Sequence, residues 1–285
     1  MIWVTALMDN VASENKALLA EHGLSLLIQT PDIKLLFDAG QGEDTLYNAR
    51  KLGMNLGDLD AVVLSHSHYD HAMGFRDLAE LGLAPERLLT GPHFFEKKYA
   101  KKPFGYTDLS CGFDEEFLRD CRVTHEVIED IAEIAPGVWA VTDFPRTHEF
   151  ETIPERFVRN TAPEGELPVM VHDEFPDEVC LAVKTAKGIC VFVGCSHPGI
   201  LNMVCRVHEA LGEPIYGVFG GTHLVEASEE RIRQTVAELK SMGVKVLGFS
   251  HCSGACAEHI EEEDPEVESC HLAVGDCLFL EEANV

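Results

Sequence analysis

Hydrophobic residues along the chain occur in short runs separated by turn-forming residues, a pattern that is typical of strands. Near the start of the chain, a strand is predicted at Ile2 to Leu7, and a hairpin at Leu24 to Gln29 with Ile33 to Phe37. Asp44 to Leu52 has apolar residues at helical spacing. Ala61 to Leu64 is apolar throughout, as expected of a strand that is covered on both faces.

The last third of the chain alternates predicted strands with predicted helices. The strands are predicted at Val179 to Thr185, Ile189 to Val193, Ile215 to Phe219, Val244 to Phe249 and Cys277 to Leu280. The helices are predicted at Ile200 to Leu211 and at Ser228 to Ser241, which begins with a capping serine. The whole pattern predicts one mixed α/β domain of stacked layers over residues 1–285.

The pattern is weaker between residues 83 and 176, where prolines interrupt it repeatedly. Gly137 to Val141 is the strand that the pattern predicts within this segment. Irregular segments of this length in compact proteins usually form lids or binding loops. We therefore expect residues 83–176 to be an irregular insert that forms a lid or a binding loop rather than part of the core.

Composition adds an unusual charge balance to this picture. The chain has 22 basic and 49 acidic residues, which give a formal net charge of -27. Such a charge repels nucleic-acid phosphates and anionic lipid, so a small-molecule substrate is favoured over nucleic-acid or membrane partners. The basic residues Lys97, Lys98, Lys101 and Lys102 are interpreted as a solvated surface run.

Three features favour a cytoplasmic protein. Met1 to Val4 lacks the regions of a signal peptide, and no apolar run reaches the roughly 18 residues that a membrane helix needs. Cys180, Cys190 and Cys205 lie in apolar stretches, where a reduced thiol behaves as a small hydrophobe.

Three of the predicted strands are each followed by a histidine that is a candidate functional residue. These are His66 after the strand that ends at Leu64, His197 after Val193, and His251 after Phe249. In layered α/β folds the carboxyl ends of neighbouring strands converge on one crevice. Imidazole and carboxylate groups suit zinc, iron, manganese or cobalt, so the sequence predicts a metal site there.

The first of these segments is the most specific, since His66, His68, Asp70 and His71 lie within six residues. Along an extended segment, residues two apart face the same side, so His66, His68 and Asp70 are expected to point together. His71 then points elsewhere and can reach a second metal. Burying these polar groups without a metal would be costly.

The motif His66-x-His68-x-Asp70-His71 after an apolar strand resembles the first ligand motif of the metallo-β-lactamase superfamily. This resemblance implies a four-layer αββα sandwich. Further segments are similar to the dihydropteroate-synthase-like or dihydropterin-related branch of that superfamily. They are Asp9-Asn10, Glu21-His22-Gly23-Leu24-Ser25, Leu36-Phe37-Asp38-Ala39-Gly40-Gln41, Gly194-Cys195-Ser196-His197, Gly220-Gly221-Thr222-His223-Leu224 and His251-Cys252-Ser253-Gly254.

The resemblance also implies two divalent transition-metal ions, with zinc favoured and iron or manganese as alternatives. His66 and His68 match ligands of the first ion, and Asp70, His71 and His251 match ligands of the second.

The chain departs from the pattern at Cys195, because many relatives place a bridging aspartate there. We expect His197 to be a ligand and Cys195 to be either a soft ligand or a supporting group. His148 is a candidate for the superfamily's middle histidine.

Other polar residues are candidates for substrate binding or for structural roles. His223 is a substrate contact or a satisfied loop histidine, and Arg146 binds a substrate anion or forms a surface salt bridge. His22 is expected either to orient a ligand or to form a structural hydrogen bond. A separate structural zinc is disfavoured by the spacing of its candidate ligands, which are Cys252, Cys256, His259, Cys270 and His271.

Two adjacent metal ions generate hydroxide from water near neutral pH. The predicted function is therefore metal-dependent hydrolysis of a small-molecule ester, lactone or phosphoester, with a pterin- or nucleotide-like substrate as one form of it. Asp70 is the expected catalytic residue. The alternatives are an iron-dependent oxidoreductase on the same fold and a non-enzymatic, metal-containing ligand sensor.

Overall fold

Sheets account for most of the regular structure of the chain. The computed structural model describes residues 1–163, 165–254 and 267–283. Within these ranges the chain forms two seven-stranded sheets and one four-stranded sheet. None of the described helices has both the length and the apolar character that a membrane span requires.

The first sheet is built from the amino-terminal strands and closed by the last one. Its strands, in order across the sheet, are β18 (Cys277–Leu280), β1 (Ile2–Met8), β2 (Ser25–Gln29), β3 (Lys34–Phe37), β4 (Ala61–Val63), β5 (Arg87–Thr90) and β8 (Thr124–Val127). The pairs from β18 to β3 are antiparallel, and the pairs from β3 to β8 are parallel.

The second sheet contains most of the remaining strands. Its order is β17 (Glu268–Ser269), β16 (Val246–Phe249), β15 (Ile215–Gly220), β14 (Gly188–Val193), β13 (Cys180–Thr185), β10 (Val138–Val141) and β9 (Ile131–Ala135). The four strands from β17 to β14 are parallel. The small sheet has the order β12 (Met170–His172), β11 (Phe157–Asn160), β6 (Lys97–Lys102) and β7 (Gly105–Asp108).

Alternation along the strands sorts the apolar residues into layers. In β4, Ala61 and Val63 belong to the core between the two large sheets, whereas Val62 packs with the helices on the outer face. In β14, Phe192 belongs to the core between the sheets and Val191 to the opposite, helix-covered face. This period of two is what a strand imposes on its side chains.

Helices cover the outer faces of both sheets. They are α1 (Asp44–Lys51), α2 (Tyr69–Ala72), α3 (Gly74–Glu80), α4 (Glu115–Asp120), α5 (Ile200–Leu211) and α6 (Glu229–Ser241). The first four contribute to the core on the first sheet, and the last two to the core on the second. The architecture is therefore an αββα sandwich, and the predicted fold class is confirmed.

The prediction of an irregular segment at residues 83–176 was wrong about its secondary structure. In the part of it that the structure describes, this segment contains eight strands and one helix. Four of those strands extend the two large sheets, and the other four form the small sheet. Their sequence signal is weak because strands such as β8 and β9 are only partly buried. Polar residues therefore interrupt the alternation.

The basic run differs from its prediction at one position. Lys97, Lys101 and Lys102 are exposed, but Lys98 is fully buried. Its Nζ lies 2.8 Å from Asp173 Oδ2 and 2.6 Å from Asp177 Oδ1. Alternation along β6 turns this lysine inward, so the interpretation of the whole run as solvated surface was wrong for Lys98.

Two of the candidate ligands of the disfavoured structural zinc, Cys256 and His259, lie outside the described residues.

This buried ion pair generates a stability prediction. Replacing Lys98 by Met leaves the carboxylates of Asp173 and Asp177 without their buried cation, and such a loss costs about 3–5 kcal/mol. Lys98→Met should therefore lower the free energy of unfolding by that amount in a urea titration. Lys97→Met, at the exposed neighbour, is the matched control and should change it little. Equal stabilities for the two variants would contradict the role given to Lys98.

Candidate metal centre

The site lies where the carboxyl ends of strands from both large sheets meet. His66 follows β4, Cys195 follows β14, and His251 follows β16. Asp9 follows β1 and Asp38 follows β3 at the same edge. The convergence that the three histidine-bearing strand ends predicted is therefore present in the fold.

Three histidines form the first set of candidate ligands. Ring nitrogens of His66, His68 and His197 lie within 4.8 Å of one another, and all three residues are buried. Nε2 of His66, Nε2 of His68 and both ring nitrogens of His197 have no hydrogen-bond partner among the described residues. Unpartnered buried nitrogens are costly unless something binds them, so a metal ion fits this set.

The protonation of these rings suits the same role. Burial lowers the pKa of His66, His68 and His197 well below the ordinary value for histidine, and neighbouring cationic groups lower it further. At neutral pH the three imidazoles are therefore neutral. A neutral imidazole has the free lone pair that metal ligation requires.

The second set surrounds the carboxylate of Asp70. Its Oδ2 lies 3.1 Å from His22 Nε2, 3.4 Å from His251 Nε2 and 3.6 Å from His71 Nε2. His71 Nε2 is also 3.1 Å from His251 Nε2 and 3.2 Å from Cys195 Sγ. So many ligand atoms pointing at one small volume fit a shared cation better than a set of pairwise hydrogen bonds.

Charge in this second set favours a cation. Burial opposes ionisation of Asp70, but His71, His22 and His251 together hold the pKa of its carboxyl well below the ordinary value. Burial likewise opposes a charged His71, yet Asp38 and Asp70 raise the pKa of its ring. The same negative groups that favour a proton on His71 would favour a metal ion in place of that proton.

The structure separates Asp70 from His66 and His68, which the extended geometry had grouped together. Tyr69–Ala72 forms the short helix α2, and the carbonyl of His68 accepts the N–H groups of His71 and Ala72. The chain therefore turns at His68, which directs Asp70 toward His251. The expectation of a common direction for His66, His68 and Asp70 was wrong, because it assumed that the strand continues.

A hydrogen-bond network fixes two of the histidine rings. Asp38 Oδ2 accepts the hydroxyl of Ser65 at 2.8 Å and lies 2.6 Å from His71 Nδ1. Ser65 Oγ lies 2.9 Å from His66 Nδ1. In this network Nδ1 of both rings donates, which leaves both Nε2 atoms directed at the centre. Packing is tight here, because a Cβ at Gly194 would lie 2.0 Å from Ser65 Oγ.

His251 is held from the other sheet. Its Nδ1 lies 2.8 Å from Asn10 Oδ1, and its backbone N–H donates to Asp9 Oδ2 at 2.8 Å. The backbone of His251 has a φ of 50°, in the left-handed region that most residues avoid. The carboxylate of Asp9 therefore supports an unusual local conformation that turns this ring inward.

The remaining predicted site residues divide into those near the centre and those away from it. His22 contacts Asp70, and His223 shares a set of close ligand atoms with Cys195 and His197. His148 instead contacts Asn202 and Glu238, and Arg146 donates to the carbonyl of Glu174. Within the described residues, the structure does not bring His148 or Arg146 into the cluster.

Several residues at the centre had not been assigned to it from the sequence. Asp38 could have been found from its place after β3, but its contact with His71 spans 33 positions. Cys252 follows His251 and shares a set of close ligand atoms with it and Cys195. Burial and the neighbouring Cys252 raise the pKa of the Cys195 thiol well above its ordinary value.

Glu178 is buried beside the first set of candidate ligands, and the sequence pattern did not mark it as part of the site. Its Oε1 accepts the N–H of Ser196 at 2.9 Å, and its Oε2 is 4.0 Å from His66 Nδ1. Burial, with repulsion from Asp177, raises the pKa of this carboxyl well above the ordinary value. Both effects favour the neutral form of this carboxyl group.

A cavity of about 490 Å³ opens onto both sets. Candidate ligands from each set line it, including His68, Asp70, His197 and His251. Phe157, from the small sheet, forms part of its wall. Its volume is in the range of small-molecule sites.

Comparison with known proteins identifies the family of the chain. The sequence profile of the metallo-β-lactamase superfamily matches residues 19–183. The 7,8-dihydropterin-6-methyl-4-(β-D-ribofuranosyl)-aminobenzene-5′-phosphate synthase of Methanocaldococcus jannaschii is 30% identical, over 95% of this chain and 94% of the relative. An uncharacterized protein of the same organism, MJ0448, is 33% identical over 88% of this chain and 90% of its own.

A solved structure is also similar over almost the whole chain. Tm1679, described as a metal-dependent hydrolase of the β-lactamase superfamily, is 28% identical and superposes with a TM-score of 0.83. The match covers 99% of this chain and 100% of Tm1679. Sequence and overall fold agree, and the chain belongs to the metallo-β-lactamase superfamily.

Proposed function

We propose that the protein is a hydrolase that uses two divalent transition-metal ions to cleave an ester, lactone or phosphoester bond in a small molecule. The observation that carries this proposal is the pair of adjacent ligand sets, whose buried nitrogens and carboxylate oxygens face one cavity. The similarity to Tm1679, which is described as a metal-dependent hydrolase, supports the same reaction class.

Each set would hold one ion. His66, His68 and His197 offer three neutral imidazoles, and Asp70, His71 and His251 offer a carboxylate with two imidazoles. Cys195 lies beside His71 and is a softer ligand than the aspartate expected at its position. This donor set favours zinc, with iron or manganese as alternatives. When bound, two such ions supply Lewis acidity and a hydroxide nucleophile near neutral pH.

The chain's own residues would orient the reactants. Asp70 is ionised and almost completely buried, so it can hold an ion and accept a hydrogen bond from the attacking water. His223 has two ring nitrogens without hydrogen-bond partners among the described residues and lies beside His197. We infer that it contacts the substrate, and that His22 orients Asp70.

The named relative extends the substrate class. Its name contains a dihydropterin compound that bears a 5′-phosphate. A pterin- or nucleotide-like phosphoester is therefore part of the proposed substrate range.

An iron-dependent oxidoreductase and a metal-containing ligand sensor are the rival functions. Metal analysis combined with assays for phosphodiesterase, lactonase and esterase activity separates the three.

The first prediction concerns metal content. Protein purified without chelator should contain about one to two transition-metal ions per chain, because each ligand set holds one. His66→Ala combined with His68→Ala removes two of three ligands of the first set and should remove most of its metal in elemental analysis. His148→Ala is the control and should keep the wild-type content. Full metal retention in the double variant would refute the first set.

The second prediction concerns turnover. Asp70→Asn keeps the shape of the side chain but removes its charge, so hydrolysis of whichever assay substrate is turned over should fall by about 10²-fold or more. Asp77→Asn on α3, outside the cavity, is the matched control and should be near wild type. Circular dichroism should show both variants folded. Near wild-type turnover by Asp70→Asn would count against the proposed chemistry.

A further inference from the structure

Two cationic side chains line the same cavity as the candidate metal ligands. Lys102 is the last residue of β6, and Arg156 directly precedes β11. These strands pair side by side, with Phe157 opposite Ala100, and the N–H of Lys101 donates to the carbonyl of Arg156 at 2.7 Å. The pairing places both residues at one end of the small sheet, where they line the cavity.

Neither cation is committed to a strong partner in the protein. Among the described residues Lys102 has no ion pair, although the chain carries a net charge of -27. Arg156 pairs with Glu226 at 2.7 Å, but the two side chains are 35% and 46% exposed. Ion pairs with that exposure contribute little, so an anion from solution can replace the carboxylate of Glu226.

Glu226 also shows where such an anion would lie. Its Oε2 contacts Arg156 and is 3.7 Å from His223 Nε2, a buried nitrogen that has no hydrogen-bond partner among the described residues. The carboxylate therefore sits between a guanidinium and an imidazole that faces the centre. A phosphate or carboxylate of a ligand could take the same position, with more oxygens to satisfy both groups.

Phe157 connects this position with the metal centre. Its ring lies 4.4 Å from the guanidinium of Arg156, and its centroid is 5.5 Å from that of His68 and 5.2 Å from that of His197. A ligand that spans the two ends would therefore pack a flat or apolar portion against this ring.

We propose that Lys102 and Arg156 form an anion-binding pair, which selects substrates with a phosphate or carboxylate group separated from the reacting bond by an apolar or aromatic portion. This assignment rests on the proposed function, because it names the substrate class of that site. The long-range field of the protein repels anions, so this selection depends on short-range contacts in the cavity.

Binding of benzylphosphonate to the metal-loaded protein tests the pair. Its carbon–phosphorus bond resists hydrolysis, so its binding can be measured without turnover. We expect calorimetric affinity to fall about tenfold or more in Lys102→Ala combined with Arg156→Leu, with metal content unchanged. Lys97→Ala combined with Lys101→Ala, on the same strand, should bind as wild type. Glu226→Gln removes the competing carboxylate and should tighten binding.

The arms of this experiment separate the sources of affinity. Phenylacetate compared with benzylphosphonate distinguishes a carboxylate from a phosphate preference, and neutral benzyl alcohol should bind equally to wild type and to the Lys102/Arg156 variant. No detectable benzylphosphonate binding by wild type, or equal affinity in wild type and that variant, would overturn the proposal. Charge-dependent binding without turnover in any assay would instead refute the hydrolase and leave the anion site standing.

Discussion

The geometry of the centre depends on the hydrogen bonds of the Asp38 carboxylate. This carboxylate is completely buried and accepts the backbone N–H and the hydroxyl of Ser65 while it contacts Nδ1 of His71. A buried charge is tolerated only when it is well compensated, and these contacts compensate it. They also join the ends of β3 and β4 to α2 and leave Nε2 of His66 and His71 directed at the centre. One carboxylate therefore orients a histidine from each ligand set.

The two sets differ in charge, which has a consequence for selectivity. The first set consists of three imidazoles that burial keeps neutral, whereas the second contains an ionised carboxylate and has Cys195 beside it. Ligand charge and softness decide which ion a site prefers. The two positions are thus expected to differ in affinity, and removal of metal by a chelator should proceed in two steps rather than one.

The sequence could predict what depends on local pattern. The bounds of α5 and β18 agree with their predictions, and the three histidine-bearing strand ends meet as expected. These features follow from periodicity and from the rule that parallel strands share an edge. The direction of Asp70 could not be predicted, because it depends on where the strand ends and α2 begins.

Features that depend on distant contacts were also beyond the sequence. Lys98 is buried against Asp173 and Asp177, which lie 75 and 79 positions away along the chain. The strands of the middle segment were missed because their side chains are half-buried, which weakens alternation. The position of Glu226 between Arg156 and His223 becomes visible only when two separate segments of the chain are placed together.

We propose that two metal ions lie at two specified positions. Crystals of the metal-loaded protein, measured on both sides of the absorption edge of the metal that elemental analysis identifies, test it directly. We expect two anomalous peaks about 3.5–4 Å apart, one among His66, His68 and His197 and one among Asp70, His71 and His251. Fully loaded crystals with no peak among His66, His68 and His197, or with the metal bound elsewhere, would contradict it.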